Sequence, residues 1–382
     1  CMHNRKILII GEVYVDQHLD IIENGYSTSR LGGIFHAARS CDALNIEYAL
    51  AYYAPDYLVK DVEKFGIDVL RASSIFRLGK VDKAPNVMLI GQSDESGNQL
   101  YENILGRQAE YVSMLPFMQV LDDFDPTDII IFPGRYGNAG ILSNLSNYEG
   151  KIHIDMNYDC DDILDLDTIK IQTVFLSTSS TSFEEFFKEI SYDNLIKYFD
   201  KKNVSQLLIK ENRGGSWLYD FKEKTSYEAP AHIGEIIHSV GVGDVYDIAF
   251  MSEMVGTNIA GNMAFAAWMS SLYAQTIQQE KFKENVHQHL DDFVLNFDFG
   301  YNSKIRNMNV PAFCENYNIK YFNPDPYVQV ICQDKFMTEK FAENFEIKTP
   351  QSLLVFLHSY NKELLSNFNY PVIIKPNYES ES

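Results

Sequence analysis

The feature that most constrains the fold is a repeated alternation of short apolar strands with helical or polar stretches. Four such strands follow one another, in DIIIFPG, KIHIDMN, TVFLSTS and QLLIKEN. Strands of this kind are typical of a parallel sheet whose two faces are both covered. The opening stretch KILIIGEVYVD has the same character and predicts another buried strand. The chain is therefore predicted to form an α/β sandwich.

A different pattern occupies residues 73–106, SSIFRLGKVDKAPNVMLIGQSDESGNQLYENILG. Its short segments alternate polar and apolar residues around turn residues, which predicts antiparallel strands outside the main sheet. Before it, GGIFHAARSCDALN predicts a glycine turn into a helix, and PDYLVKDVEKFG predicts a helix closed by Gly66. Further along, GGSWLYD is typical of the return arm of a hairpin. Residues 73–106 are thus expected to form a small antiparallel appendage on the sandwich.

Composition and net charge argue against two classes of partner. An apolar fraction of 46% favours a well-packed protein, and a net charge of −21 argues against nonspecific binding of nucleic acid or of an anionic membrane. A phosphorylated ligand stays possible, because backbone amides can hold phosphate without Lys or Arg. Widely spaced cysteines, no signal peptide and no apolar run of bilayer length predict a cytoplasmic protein with reduced thiols.

The stretch HSVGVGDVYDIAF (residues 238–250) places two glycines and a carboxylate before an apolar helical run. A capped helix start accounts for it, since Gly makes the turn and Asp caps the helix. A phosphoryl-transfer site is the alternative explanation. Amides at the helix start can face the transferred phosphate, and Asp244 can accept the proton of the attacking hydroxyl. The motif alone favours the capped helix, so the choice depends on other features.

Two features near the N-terminus favour a ligand site. Asp16 is predicted to lie just past the C-terminal end of the first strand, and ligands bind at that edge of open parallel sheets. A carboxylate there suits sugar hydroxyls, with a solvated loop carboxylate as the alternative. Gly32 and Gly33 offer backbone close to a ligand, although a tight strand-to-helix turn would use the same residues.

Over about residues 5–290 these stretches resemble the ribokinase-like (PfkB) carbohydrate kinase family. The resemblance consists of the first strand with its Asp, the Gly-Gly helix start, the strand end DMN (Asp155 and Asn157) and the late GVGD, in that order. It implies a three-layer ribokinase-like sandwich in which the antiparallel appendage is a β lid over the substrate.

The resemblance also implies roles for single residues. Asp244 would be the catalytic base, and the backbone of Gly241, Val242 and Gly243 would form an anion hole. The sugar would be contacted by the early carboxylate and the glycine pair, which are Asp16, Gly32 and Gly33 in this chain.

Several positions depart from the family pattern. His36 stands where the family usually has Asn. It could bind a sugar hydroxyl or the edge of a base, or be a satisfied, partly buried histidine. The Asn-x-x-Glu that organises magnesium and phosphates is replaced in LSTSSTSFEE, where Ser179 and Ser182 are the nearest equivalents. A pair of serines binds a hydrated cation more weakly than a carboxylate does. The metal ligands are therefore left unassigned.

The predicted nucleotide loop departs as well. The family usually has G-x-x-G after the strand LLIK, whereas this chain has KENRGGS. The nucleotide-binding candidates there are Lys210, Asn212, Gly214 and Gly215, and an ordinary hairpin turn is the alternative.

The stretch from about residue 291 to 382 follows a second pattern. NVPAFCENYNIKYFNPDPYVQVICQDKFMTEKFAENFEIKTP followed by YPVIIKP resembles the first part of an ATP-grasp ligase of the D-alanine–D-alanine ligase type. The resemblance implies that Lys335 and Lys375 contact ATP phosphates, with surface lysines as the alternative. The family's later Gly-rich lid and metal ligands lie beyond Ser382, so this segment is not expected to complete a ligase site.

Together the motifs predict a ribokinase-like carbohydrate kinase domain at residues 1–290 and the beginning of an ATP-grasp domain at 291–382. The predicted activity is transfer of the γ-phosphate of ATP, with Mg²⁺, to a hydroxyl of a sugar or sugar-like molecule. One alternative is a sugar- or nucleotide-binding module with weakened catalysis. Another is a bifunctional protein whose main activity is carboxylate–amine ligation. The lid strands could also pair between subunits of a homodimer.

Overall fold

A computed structural model of the chain describes residues 5–82, 84–93, 99–103, 110–113, 117–132, 134, 139–156, 169–178, 191–211, 215–232, 234–290, 294–295, 312, 321–322, 325–355, 366–368, 371–374 and 377. The chain divides into two compact units, Cys1–Gln288 and His289–Ser382. Each unit is considered by itself.

Strands and helices alternate through most of the first unit. Its strands are β1 (Lys6–Glu12), β2 (Val15–Glu23), β3 (Tyr26–Leu31), β4 (Glu47–Ala54), β5 (Ser74–Asp82), β6 (Val87–Ser93), β7 (Gln99–Asn103), β8 (Glu110–Ser113), β9 (Asp128–Ile131), β10 (Lys151–Asp155), β11 (Ile171–Ser177), β12 (Val204–Glu211), β13 (Gly215–Asp220) and β14 (Thr225–Ala229). Its helices are α1 (Ile34–Ala43), α2 (Val59–Lys64), α3 (Phe117–Phe124), α4 (Ala139–Leu142), α5 (Tyr192–Phe199), α6 (Val242–Met251), α7 (Ile259–Ala274) and α8 (Gln279–Leu290).

The main sheet has ten strands in the order β14-β13-β12-β11-β10-β9-β1-β4-β5-β8. Every pairing from β12 to β5 is parallel, and the β12–β13–β14 edge is antiparallel. The four short apolar stretches are β9 to β12, so the predicted parallel sheet is confirmed. GGSWLYD contributes β13, which returns along β12 as predicted.

Helices cover both faces of this sheet, which makes three layers. Leu8 and Ile10 of β1 belong to a core cluster that also contains Phe117 of α3 and Phe199 of α5. On the other face α1 contacts β1 and β4, and α6 packs on α1 and on α7. β1 is buried from Ile7 to Ile10, as its continuous apolar sequence requires.

A second sheet of four strands, in the order β3-β2-β6-β7, forms the appendage and is called the lid sheet below. It is mixed, because β2 pairs with β6 in parallel while β2–β3 and β6–β7 are antiparallel. The prediction for residues 73–106 was wrong for its first strand. β5 pairs in parallel with β4 in the main sheet, because Leu78 and Val81 are buried in the main core.

Two local expectations also need correction. The alternative of a solvated loop carboxylate for Asp16 is wrong, because β2 begins at Val15 and Asp16 is a buried part of the lid sheet. Gly66 does not close α2. The chain continues through it in a wide helical turn over Phe65–Val69, and a Cβ at Gly66 would collide with the side chain of Ile75. Close packing, rather than a helix end, explains that glycine.

The second unit contains β15 (Val294–Leu295), β16 (Tyr321–Phe322), α9 (Pro326–Gln333) and α10 (Lys335–Glu343). The strand expected in YPVIIKP is absent over residues 371–374, where Ile373 and Ile374 are 89% and 94% exposed. An apolar run alone does not make a strand unless a neighbouring strand pairs with it. Among the helices that the structure describes, none combines the length and the apolar character needed to cross a membrane.

Candidate active site

The start of α6 is the centre of the candidate site. Gly241 precedes the helix with φ 73° and ψ 6°, the left-handed conformation that favours glycine. A Cβ at this position would overlap the ring of His36. The first intrahelical hydrogen bond runs from the Val245 N–H to the Gly241 carbonyl at 3.1 Å. The N–H groups of residues 242–244 therefore precede that bond, and they form the positive end of the helix.

Asp244 lies in the first turn of α6 and is only partly buried. Burial raises the pKa of this carboxyl to about 8, and the charge of Asp155 acts in the same direction. The nearby ammonium of Lys210 opposes the shift. An aspartate with a pKa close to neutrality can both accept and release a proton in the working pH range.

Behind this turn lies a group of charged residues that we call the ammonium group: Lys210, Asp155 and Asp247. Lys210 Nζ donates to Asp155 Oδ2 and to Asp247 Oδ1, both at 2.8 Å. It also lies 3.3 Å from the carbonyl oxygen of Gly243. Burial by itself lowers the pKa of Lys210, but the two carboxylates outweigh it and raise that pKa. Lys210 is therefore a fixed cation.

The strand order explains why these residues meet. Asp155 is the last residue of β10 and Lys210 the last but one of β12, so both lie at the carboxyl edge of the parallel sheet. Ligands bind at this edge in open α/β sheets. Asp247 comes from α6 and is completely buried.

On the lid side of α6 lies a second polar group, which we call the histidine group: Asp16 of β2, His36 of α1 and Tyr273 of α7. His36 Nε2 lies 2.9 Å from Asp16 Oδ2, and His36 Nδ1 lies 2.6 Å from the Tyr273 hydroxyl. Burial lowers the pKa of His36 to about 4, so its ring is neutral. A neutral ring donates from one nitrogen, which fits Nε2 donating to Asp16 and Nδ1 accepting from Tyr273.

Asp16 remains ionised in this group. Burial by itself raises the pKa of Asp16, but the hydrogen bond from His36 and the charge of Arg30 help to lower it overall. The guanidinium of Arg30 lies 5.0 Å from the centre of the Tyr273 ring. A buried carboxylate is thus held ionised by one neutral donor and one nearby cation.

The glycine pair has a structural reason in this arrangement. A Cβ at Gly32 would overlap the carboxylate of Asp16, and Gly33 has φ 62° with the carbonyl of Glu12 against it. The predicted substrate residues Asp16, Gly32, Gly33 and His36 therefore lie together, beside Gly241. Both ring nitrogens of His36 already have partners, which favours the alternative of a satisfied histidine over direct contact with a ligand.

The predicted nucleotide residues are only partly described. Lys210 donates to Asp155 and Asp247 in the ammonium group. Gly215 begins β13 opposite Glu211, with φ 97°. Gly215 is therefore part of a hairpin between β12 and β13, which is the alternative that the sequence left open. Asn212 and Gly214 lie outside the described residues, as do Asn157, Ser179, Ser182 and Lys375.

Sequence reasoning missed Asp247, Tyr273 and Arg30. Asp247 carries a visible signal, because it is a lone carboxylate in the apolar run VYDIAFM, where a buried charge requires a partner. Tyr273 and Arg30 carry none, because their positions depend on how α7 and the lid sheet pack around His36.

The carboxylates of Asp155, Asp244 and Asp247 each place an oxygen within 4.8 Å of the others, a spacing that could hold a divalent cation. The ammonium of Lys210 already lies between two of them and supplies the positive charge there. The described residues therefore do not fit a metal centre at this point, and we assign no metal ligand to the three carboxylates.

Comparison with known proteins supports the fold and leaves the family open. No protein-family model matches the chain, and no curated protein sequence matches it. Among solved structures, adenosine kinase from Sinorhizobium meliloti is similar at 13% identity and a TM-score of 0.58, covering 75% of this chain and 99% of that one.

Two ribokinases give the same result. The Arabidopsis thaliana ribokinase complexed with ribose and ATP is 13% identical with a TM-score of 0.56, covering 75% of this chain and 98% of that one. The Giardia lamblia ribokinase is 16% identical with a TM-score of 0.55, covering 76% and 99%. Three-quarters of the chain therefore adopts a ribokinase-like α/β fold.

Proposed function

We propose that this protein is an ATP-dependent kinase that transfers the γ-phosphate to a hydroxyl of a sugar or sugar-like molecule. The observation that carries the proposal is the carboxylate of Asp244, a partly buried residue at the N-terminal end of α6. It stands beside N–H groups that precede the first bond of the helix. A base and an anion-binding helix start at one point are what transfer to an alcohol requires.

In the proposed reaction the acceptor oxygen attacks the γ-phosphorus and its proton passes to the Asp244 carboxylate. The new P–O bond forms as the bond between the γ-phosphorus and the β,γ-bridging oxygen breaks, and ADP leaves with that electron pair. The N–H groups of Val242, Gly243 and Asp244 bind the charge on the transferring phosphoryl oxygens. Asp244 must be ionised to act, so activity should rise with pH toward its pKa of about 8.

The acceptor would lie between the lid sheet and α6, where Asp16 and the glycine pair are close to Gly241. In this arrangement Asp16 binds acceptor hydroxyls and His36 orients Asp16. Neighbours of this fold include a ribokinase bound to ribose and ATP and an adenosine kinase, which supports a ribose-like acceptor. Mg²⁺ would be bound together with the phosphates of ATP, and none of the described residues is assigned to it.

Two further expectations stay proposals for the first unit. Leu19, Ile22 and Tyr26 of the lid sheet are exposed apolar side chains, which favours the predicted homodimer through that sheet. Gly215 belongs to the predicted nucleotide loop, and its position at the start of β13 favours a hairpin over contact with a phosphate.

For the second unit we propose the first part of an ATP-grasp domain, and one observation favours it. Asn377 lies two positions after Lys375 in the sequence, and it binds the start of α10. Its carbonyl accepts from the Lys335 N–H at 3.2 Å, and its Nδ2 donates to Asp334 Oδ1 at 2.8 Å. Asn377, which follows Lys375 in the sequence, thus contacts the segment that contains Lys335 within this unit.

The kinase proposal is tested by calorimetry with ATP and with a panel of ribose, adenosine, acarbose and fructose 6-phosphate, beside an assay of ADP release. Acceptor-dependent ADP release together with a phosphorylated product is the expected result. Binding of ATP and an acceptor without ADP release would contradict the proposal and favour the alternative of a binding module.

A further inference from the structure

The contacts of Lys210 go beyond those of a structural ion pair. Its ammonium touches the Gly243 carbonyl at 3.3 Å, and a Cβ on Gly243 would stand 3.2 Å from the same nitrogen. The peptide between Gly243 and Asp244 therefore has a cation on its carbonyl side and carries the Asp244 N–H on its other side. The cation sits behind the N–H groups that the proposed function assigns to the phosphate.

We propose that Lys210 is a positioning residue of this site, a fixed cation that polarises the Gly243–Asp244 peptide and balances the charge of the base and of the phosphoryl group in transfer. The proposal rests on the proposed kinase function. It replaces the expectation that Lys210 contacts the nucleotide, and it adds Asp155 and Asp247 as the residues that hold the ammonium in place.

Two carboxylates are needed to fix the position of one flexible side chain. A lysine has four rotatable carbon–carbon bonds, and its charge is useful only if it stays at one point. Asp155 approaches from β10 and Asp247 from α6, so the ammonium is anchored both to the sheet and to the helix whose first turn it serves. The Lys210 side chain is 12% exposed, and such shielding from water strengthens its field at the helix start.

The polarising effect follows from the connectivity of a peptide unit. A hydrogen bond to a carbonyl oxygen draws electron density from the attached nitrogen, so the N–H on the other side becomes a stronger donor. Here the carbonyl belongs to Gly243 and the N–H to Asp244. Preorganised donors of this kind act most strongly where negative charge develops in the transition state.

Three variants are compared with the wild type, using ATP and the best acceptor of the panel. They are Lys210→Met, Lys210→Met with Asp247→Asn, and Lys151→Met. The first removes the cation and leaves Asp247 buried without it, which can impair folding. The double variant removes that unpaired charge as well. Lys151 pairs with Glu253 at 2.6 Å at the opposite end of β10, so its variant is a matched control.

The proposal expects a fall in kcat of about a hundredfold in both Lys210 variants, with KM for ATP within about threefold of wild type. The double variant should fold with wild-type circular dichroism, and Lys151→Met should keep its activity. Recovery of kcat in the double variant would overturn the proposal, because Lys210 would then only neutralise Asp247. A tenfold rise in KM for ATP at unchanged kcat would also overturn it and favour nucleotide contact.

If the proposed kinase function itself is wrong, the same assays give a different result. A folded wild type that releases no ADP with any acceptor would contradict the proposed function, and the role of Lys210 would fall with it. An active wild type beside an equally active double variant would contradict only the role of Lys210.

Discussion

The histidine group and the ammonium group lie on either side of the start of α6. They differ in the charge of the residue at their centre. The histidine group uses a neutral imidazole between a carboxylate and a phenol. The ammonium group uses a full positive charge between two carboxylates. Both groups lie largely out of contact with water, so their polar atoms need partners, but only the ammonium group places a positive charge beside the base.

This difference suggests that the two groups have separate roles in the proposed reaction. The hydrogen bonds of the histidine group fix the direction of Asp16, which would bind the acceptor. The charges of the ammonium group set the electrostatic field at Asp244 and at the helix start. Changes on the lid side should therefore act on acceptor KM, and changes on the ammonium side should act on kcat.

The largest expected effect comes from the base between the two groups. Asp244→Asn should lower kcat by about a hundredfold to ten-thousandfold, because the amide cannot take the proton of the acceptor hydroxyl. KM values for ATP and acceptor should change little, since the anion-binding N–H groups stay in place. Steady-state kinetics would measure both. A loss of less than about tenfold would show that Asp244 is not the base.

A smaller effect is expected on the lid side. His36→Ala should raise acceptor KM about tenfold while kcat falls less, because Asp16 loses the donor that orients it. The free energy of unfolding should fall by about 1–3 kcal/mol, since Asp16 would lose a buried partner. His232→Ala is the matched control, because His232 bonds to Ser271 outside the histidine group. A fall in kcat at constant KM would contradict the proposed separation of roles.

The smallest effect is a difference in how stability depends on pH. The folded-state pKa of Asp244 is raised to about 8, so the folded chain holds this proton more tightly than the unfolded chain does. Its contribution to stability is complete at low pH and is lost as pH rises toward 8. His36 has a lowered pKa of about 4, so its contribution is present above about 6.5 and is lost as pH falls toward 4.

Urea unfolding at several pH values measures these opposite trends. Between pH 6.5 and 8 the unfolding free energy of wild type should fall relative to Asp244→Asn, in which this proton is absent. A constant difference between the two proteins across that window would mean that burial does not perturb Asp244.

Sequence alone predicted the parts of this molecule that depend on local pattern. Continuous apolar runs predicted the parallel strands β9 to β12, and the glycine–aspartate stretch predicted a helix start at Gly241. The errors arose where tertiary pairing decides. β5 was assigned to the lid, although Leu78 and Val81 place it in the main sheet. Residues 371–374 were assigned to a strand that the structure does not form.

The same limit applies to the site. Asp16, Gly32, Gly33 and Gly241 could be picked out because they stand next to predicted strand and helix ends, in the order that the family resemblance requires. The role of Lys210 could not, because its two partners come from β10 and α6 and are brought to it only by the strand order. A partner that is distant in sequence leaves no local pattern.

Whether Asp244 is the base is tested most directly by the pH dependence of kcat/KM for the acceptor at saturating ATP. At saturating ATP this parameter reports the ionisation of the enzyme–ATP complex to which the acceptor binds. If Asp244 is the base, kcat/KM should rise about tenfold per pH unit at low pH and level off near the pKa of about 8, and Asp244→Asn should abolish the rise. A profile in wild type that is flat between pH 6 and 9 would contradict the assignment.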